Sequence, residues 1–233
     1  MLNQLKAELN SLANPKNAEI LQRFFKTGGG EYGEGDVFLG IRVPVQRSVA
    51  KKYVGLGFSK IQKLMDSKIH EERLVGLLIL VDKFKKSDET AKGDIFNFYL
   101  KNTKCINNWD LVDLSAPNIV GEFLVDKTKV PLYKLAEAKN LWEKRIAMVA
   151  CYSFIKREDF RDALRIAGIL LNDEHDLIHK AVGWMLREIG KRDLETEEKF
   201  LKKRYKKMPR TMLRYAIERF EEEKRQKYLK GEI

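Results

Sequence analysis

From Arg73 onward, comparable positions return along this chain at a spacing of roughly 35 residues: Arg73, Trp109, Arg145, Lys180 and Arg214. A period of that length marks stacked helical pairs, in which each repeat buries its apolar face only against its neighbours. The local patterns agree. "EERLVGLLILVDKF", "EKRIAMVACYSFIKR" and "DALRIAGILLND" place apolar residues three and four apart with charge between them, which is the spacing of one helix face. The opening "MLNQLKAELNSLAN" reads the same way. Only five prolines interrupt the chain, and no alternating strand-turn-strand pattern appears. Short polar joints such as "KSDET" and "KRDLETE" suit helix–helix connections. The expectation is one all-α domain over residues 1–233: a curved solenoid, or superhelix, of HEAT-like antiparallel helical pairs with repeats centred near 73, 109, 145, 180 and 214.

One stretch breaks the pattern. "KTGGGEYGEGD", residues 26 to 36, holds Gly28, Gly29, Gly30, Gly33 and Gly35. Such a glycine-rich loop (27–36) is either a plain surface loop or a cradle of backbone N–H groups for phosphate. No strand precedes it, so neither the dinucleotide fingerprint nor the P-loop applies.

The balance of charge narrows the partners. A net charge of +11 and a pI near 9.5 predict attraction to polyanions, nucleic acid first and an anionic membrane surface second. The two cysteines, Cys105 and Cys151, form no disulfide framework, which points to a reducing cytoplasmic setting. No signal peptide and no membrane-length apolar run is seen. Nothing demands more than a monomer.

Four residues after each member of the series, one turn along the same helix face, stand Leu77, Asp113, Val149, Trp184 and Glu218. A solenoid presents such positions along one continuous surface. Were that surface the binding face, it would carry cations, the indoles of Trp109 and Trp184, and the carboxylate of Asp113, a set suited to nucleic acid. Blander alternatives stand beside this one. The cations fit a solvated helix face, the tryptophans fit a core, and Asp113 fits a structural pair with Arg145. On the residues alone the chain is a basic helical scaffold that binds nucleic acid, without a stated reaction. His175 and His179 lack the further ligands a metal would need, and neither cysteine has triad partners. Neither metal nor cofactor is expected.

The blocks "FLGIRVPVQR", "NNWDLVDLSAPNIVG", "WEKRIAMVACYSFIKR" and "LIHKAVGWMLREIGKR", in this order and spacing, resemble the AlkD family of DNA alkylation-repair glycosylases over about residues 20 to 220. The resemblance implies a curved stack of HEAT-like pairs holding duplex DNA. It implies excision of positively charged 3-methyladenine and 7-methylguanine, with the lesion left in the stack. Asp113 matches the family's catalytic aspartate, and Trp109 and Trp184 match the tryptophans that flank the lesion-bearing nucleotide. Arg145 matches its phosphate-proximal arginine, and Lys180, Arg214, Arg73 and Arg187 join it as DNA-binding candidates. Two departures are visible. Phe24 or Phe25 stands where the best-studied type of member has a tyrosine near DNA, and the glycine loop is longer. The alternative to an enzyme is a non-catalytic HEAT-like module that binds DNA or protein.

Overall fold

The computed structural model describes residues 1–233. Its regular structure is helical, as the periodicity predicts, apart from one isolated parallel bridge between Val37 and Ile69. The contacts gather into two compact units, Met1–Ile119 and Val120–Ile233.

The first unit holds α1 (Leu2–Ser11), α2 (Pro15–Phe24), α3 (Val43–Lys52), α4 (Phe58–Met65), α5 (His70–Lys86), α6 (Glu89–Lys101) and α7 (Trp109–Ala116). Its axis is α5, against which α3, α4 and α7 all pack. Leu74, Val75, Leu77, Leu78 and Ile79 of α5 are buried on all sides, so this helix has no solvated face to speak of. A helix that is apolar all round must lie inside, and "LVGLLILV" supplies that character.

The second unit holds α8 (Glu122–Leu124), α9 (Val130–Ala136), α10 (Leu141–Ala150), α11 (Tyr152–Ile155), α12 (Arg161–Ile169), α13 (Asp176–Gly190), α14 (Leu194–Lys202), α15 (Arg210–Ala216) and α16 (Glu222–Lys230). Here α10, α13 and α15 pack in succession, with α9 against α10 and with α12 and α14 against α13. Arg73, Trp109, Arg145, Lys180 and Arg214 each fall within the first five residues of α5, α7, α10, α13 and α15. The α13–α15 contact depends on Gly183: a Cβ there would lie 2.5 Å from the carbonyl of Met212 and from Cβ of Tyr215.

The glycine loop is a run of turns. Glu31 accepts from the N–H of Gly28 and Glu34 accepts from the N–H of Gly30, both at 2.9 Å. Two N–H groups that a phosphate would need are thus already bound by carboxylates, whose charge also repels an anion. The phosphate-cradle alternative falls for that reason.

Candidate functional site

Helix α7 is placed by its cap. Asn108, fully buried, accepts from the N–H of Trp109 at 2.8 Å and extends its Nδ2 toward Asp36. Trp109 is therefore the first helical residue, and Asp113 lies one turn further on the same face. Both are half-buried, whereas Asp110, Leu111 and Val112 point inward. Below Asp113, the buried Tyr99 hydroxyl meets Ser115 Oγ at 2.9 Å. Burial and the charge of Asp113 both hold that phenol well above its usual range. Pro117 has no N–H to offer the Asp113 carbonyl, and α7 passes there into a π-helical turn, Pro117–Gly121. That widened turn replaces the kink Pro117 would otherwise suggest; such turns recur at functional sites.

Beneath Trp109 lies a cluster with no forewarning in the repeat pattern. Its indole stacks on Phe25 (centroids 5.0 Å apart, planes at 16°), Phe25 stacks on Phe38 (5.0 Å), and Phe38 stacks on the imidazole of His70 (4.4 Å). His70 then reaches back to the residue beside Trp109: its Nε2 donates to Asp110 at 2.8 Å while Nδ1 donates to Asp36 at 3.1 Å. Arg73 completes the set, donating to Asp36 at 2.6 Å and to the carbonyl of Ser67 at 2.8 Å. Four rings and two carboxylates close a circuit that fixes the indole from below. Burial works against a charged imidazole, but the charge and hydrogen bond of Asp110, with the bond from Asp36, raise its pKa to about 9. With a carboxylate at each nitrogen, the ring is an imidazolium donating twice. Burial likewise works against ionised Asp36, and the bonds and charges of His70 and Arg73 outweigh it, holding the carboxyl below its ordinary value.

This arrangement corrects the assignment of Arg73 to phosphate. Its residue exposure is 4%, and its guanidinium is engaged inside the protein. Of the two phenylalanines, Phe25 is buried in the stack while Phe24, 61% exposed, meets the edge of Trp109 at 5.8 Å. Phe24 is thus the one available to a partner.

In the second unit, α13 carries Lys180, Trp184 and Arg187 at i, i+4 and i+7, all half-buried. Lys180 pairs with Asp176 at 2.7 Å, Arg187 with Glu218, and Trp184 lies 6.2 Å from Tyr152. The start of α13 is capped by His175, whose Nδ1 accepts from the N–H of Leu177 at 3.1 Å. Arg214 is exposed. Arg145 is not: it is 5% exposed and donates to the carbonyl of Leu177 at 2.6 Å. An open grip on phosphate by Arg145 gives way to a role in tying α10 to α13. Leu77 and Val149 are fully buried, so the positions four residues along the series do not form one continuous surface. Core packing takes two of the five.

These are packed helices that, in the first unit, place a half-buried carboxylate one turn from a stacked indole. The chain belongs to the DNA alkylation repair enzyme family, whose model matches residues 5–220. No curated protein shows significant sequence similarity to it. Four solved chains match its fold, two of which are as follows. One, described as a predicted DNA alkylation repair enzyme from Enterococcus faecalis, is 16% identical with a TM-score of 0.69, over 90% of this chain and 97% of that one. The other, AlkD2 from Streptococcus mutans, is 17% identical with a TM-score of 0.56, over 89% and 98%. Membership supports a role in DNA alkylation repair. No helix is long and apolar enough to cross a membrane.

Proposed function

We propose that the chain is a monofunctional DNA glycosylase that removes cationic alkylated purines, chiefly 3-methyladenine and 7-methylguanine, from duplex DNA and leaves an abasic site. The observation that carries this is the placement of Asp113. It is a partly accessible carboxylate one turn from Trp109, in a unit whose neighbouring acids Asp36, Glu71, Glu72 and Asp110 are all buried.

Methylation at N3 or N7 makes the purine a cation whose base leaves neutral. The catalyst need not protonate the leaving group. Positive charge grows on the deoxyribose instead, and an anion facing the sugar stabilises it. Two unit charges about 4 Å apart attract by about 4 kcal/mol at an effective dielectric near 20. Each 1.4 kcal/mol or so is tenfold in rate, so Asp113 supplies about three orders of magnitude, less what it gives the ground-state cation. It also orients the attacking water. The indole of Trp109 adds cation–π attraction of about 0.5–2 kcal/mol, and Trp184 is the corresponding DNA-facing indole of the second unit. Lys180, Arg187 and Arg214 hold the backbone.

The test is release of 7-methylguanine from methylated duplex DNA. Wild type releases it well above the spontaneous rate; Asp113→Asn loses about 1,000-fold while still binding DNA. Release at the spontaneous rate by wild type would leave a non-catalytic DNA-binding protein.

A further inference from the structure

A hollow of about 470 Å³ lies in the second unit between α12 and α14. Four cations line it: Arg165 from α12, Lys199 from α14, and Lys203 and Arg204 from the turn that follows. No carboxylate does. Asp162, Glu197 and Glu198 belong to the same two helices but turn elsewhere. Asp162 accepts from Tyr133 at 2.6 Å and pairs with Arg161 at 3.2 Å, Glu198 pairs with Lys202 and Lys224, and Glu197 is buried against Gly190. The carbonyl end of α14 attracts the cations nearest to it, but Arg165 comes from another helix and precedes that helix's last turn. Four like charges therefore converge from two elements with no anion between them.

The floor is apolar. Leu164, Phe200 and the bare backbone of Gly168 form it, and Ile169, 41% exposed, stands at the next position. At Gly183 and Gly190 an added Cβ would strike a neighbour, so packing requires those glycines; at Gly168 it would meet nothing within 4 Å. A glycine weakens a helix, and here its one evident effect is to leave the floor open. A duplex brings phosphates to the rim but no apolar group to such a floor. A single strand brings bases, yet the one aromatic ring of the lining, Phe200, is buried and covered by the guanidinium of Arg204 at 4.3 Å, so no face is open for stacking. A peptide with acidic side chains around a leucine or phenylalanine satisfies both parts. Arg204, lying on Phe200 and donating to its carbonyl at 3.3 Å, keeps further N–H groups for a paired bond to a carboxylate.

We infer that the hollow between α12 and α14 docks an acidic segment of a partner protein, anchored by an apolar side chain over Gly168. None of the residues assigned to DNA, Lys180, Arg187 and Arg214, lines it. The inference is independent of the glycosylase reading.

The experiment follows the fluorescence anisotropy of the labelled peptide EDDLFDE as the full chain is added at low salt. This peptide binds at sub-millimolar concentration. QNNLFNQ, which lacks the carboxylates, and EDDAADE, which lacks the apolar pair, each bind about tenfold more weakly. Gly168→Leu places a side chain in open space on the floor. It keeps the melting temperature at or above that of wild type, weakens EDDLFDE about tenfold, and leaves the affinity for duplex DNA unchanged. Lys203→Glu weakens EDDLFDE through charge and has no effect on QNNLFNQ. EDDAADE binding as tightly as EDDLFDE would mean that charge alone is read, and overturns the inference. Indifference of EDDLFDE to Gly168→Leu, or no binding at millimolar concentration, does the same. So does a matching loss of affinity in Gly168→Leu for duplex DNA or for phosphatidylglycerol vesicles, which would assign the hollow to nucleic acid or to a membrane surface.

Discussion

Helices α5 and α13 hold corresponding places in the sequence period, yet they treat charge in opposite ways. The first turn of α5 is His70, Glu71, Glu72 and Arg73, and all four are buried. Helix α13 keeps an apolar face inward but leaves Lys180, Trp184 and Arg187 half-exposed. The repeat supplies the same scaffold twice. In α5 the charged residues hold the protein together, and in α13 they remain available to a partner. Helical period alone therefore says where a cation sits along a helix, not what it is for.

The contrast is broken most directly at Asp36. Asp36→Ala leaves the guanidinium of Arg73 and the His70 imidazolium buried without their shared partner. Removing one member of a buried charged set costs about 3–5 kcal/mol, read as a lower urea midpoint. A midpoint equal to wild type would mean that α5 tolerates its charges as easily as α13 does. The second effect is one of pH. His70 has its pKa raised from 6.5 to about 9, so the folded state binds its proton more tightly than the unfolded chain. The stability this gives is complete below about pH 6.5 and is lost as pH rises through 9. That shift corresponds to about 3 kcal/mol. Melting temperature should fall between pH 6.5 and 9.5 in wild type and fall less in His70→Gln; parallel curves would remove His70 as the cause.

Why the sequence revealed one half of this and not the other is physical. Helical period follows from apolar spacing, which is local: α1, α5, α10 and α12 lie in the stretches that the spacing marks, although the run through "ACYSFIKR" is interrupted at Cys151 and α6 is not marked at all. The pair Trp109 and Asp113 was legible because it lies within one turn. The cluster under it was not, because Asp36, His70 and Asp110 are joined only by folding. One signal was available: "HEER" opens a helix that is otherwise apolar on every side, and charges there must find partners inside. The same argument withdraws Arg73 from the DNA contacts. Arg145 offered no such sign, since "WEKRIAM" reads equally well as the edge of a solvated face.

A smaller effect sharpens the comparison from the second unit. Gly183→Leu inserts a side chain where α15 already stands within 2.5 Å. Overpacking of this kind costs about 1–3 kcal/mol. Because Trp184 is the next residue, the substitution should also change its fluorescence maximum. An unshifted maximum at reduced stability would separate the packing of α13 from the setting of its indole.

The smallest effect on stability belongs to the residues for which the largest effect on DNA is expected. Lys180 pairs with Asp176 four residues earlier on an exposed face, an arrangement worth about 0.3–0.5 kcal/mol. Arg214 is exposed on α15. Lys180→Ala and Arg214→Ala should therefore leave the urea midpoint almost unchanged. On duplex DNA each should make the dependence of log affinity on log salt shallower by about one counterion, since one phosphate contact is lost. Arg73→Ala should do the converse: a large loss of stability with an unchanged salt slope in the fraction that remains folded. If Arg73→Ala and Lys180→Ala move the same measurement, burial has not divided the cations between frame and surface, and the distinction between α5 and α13 fails.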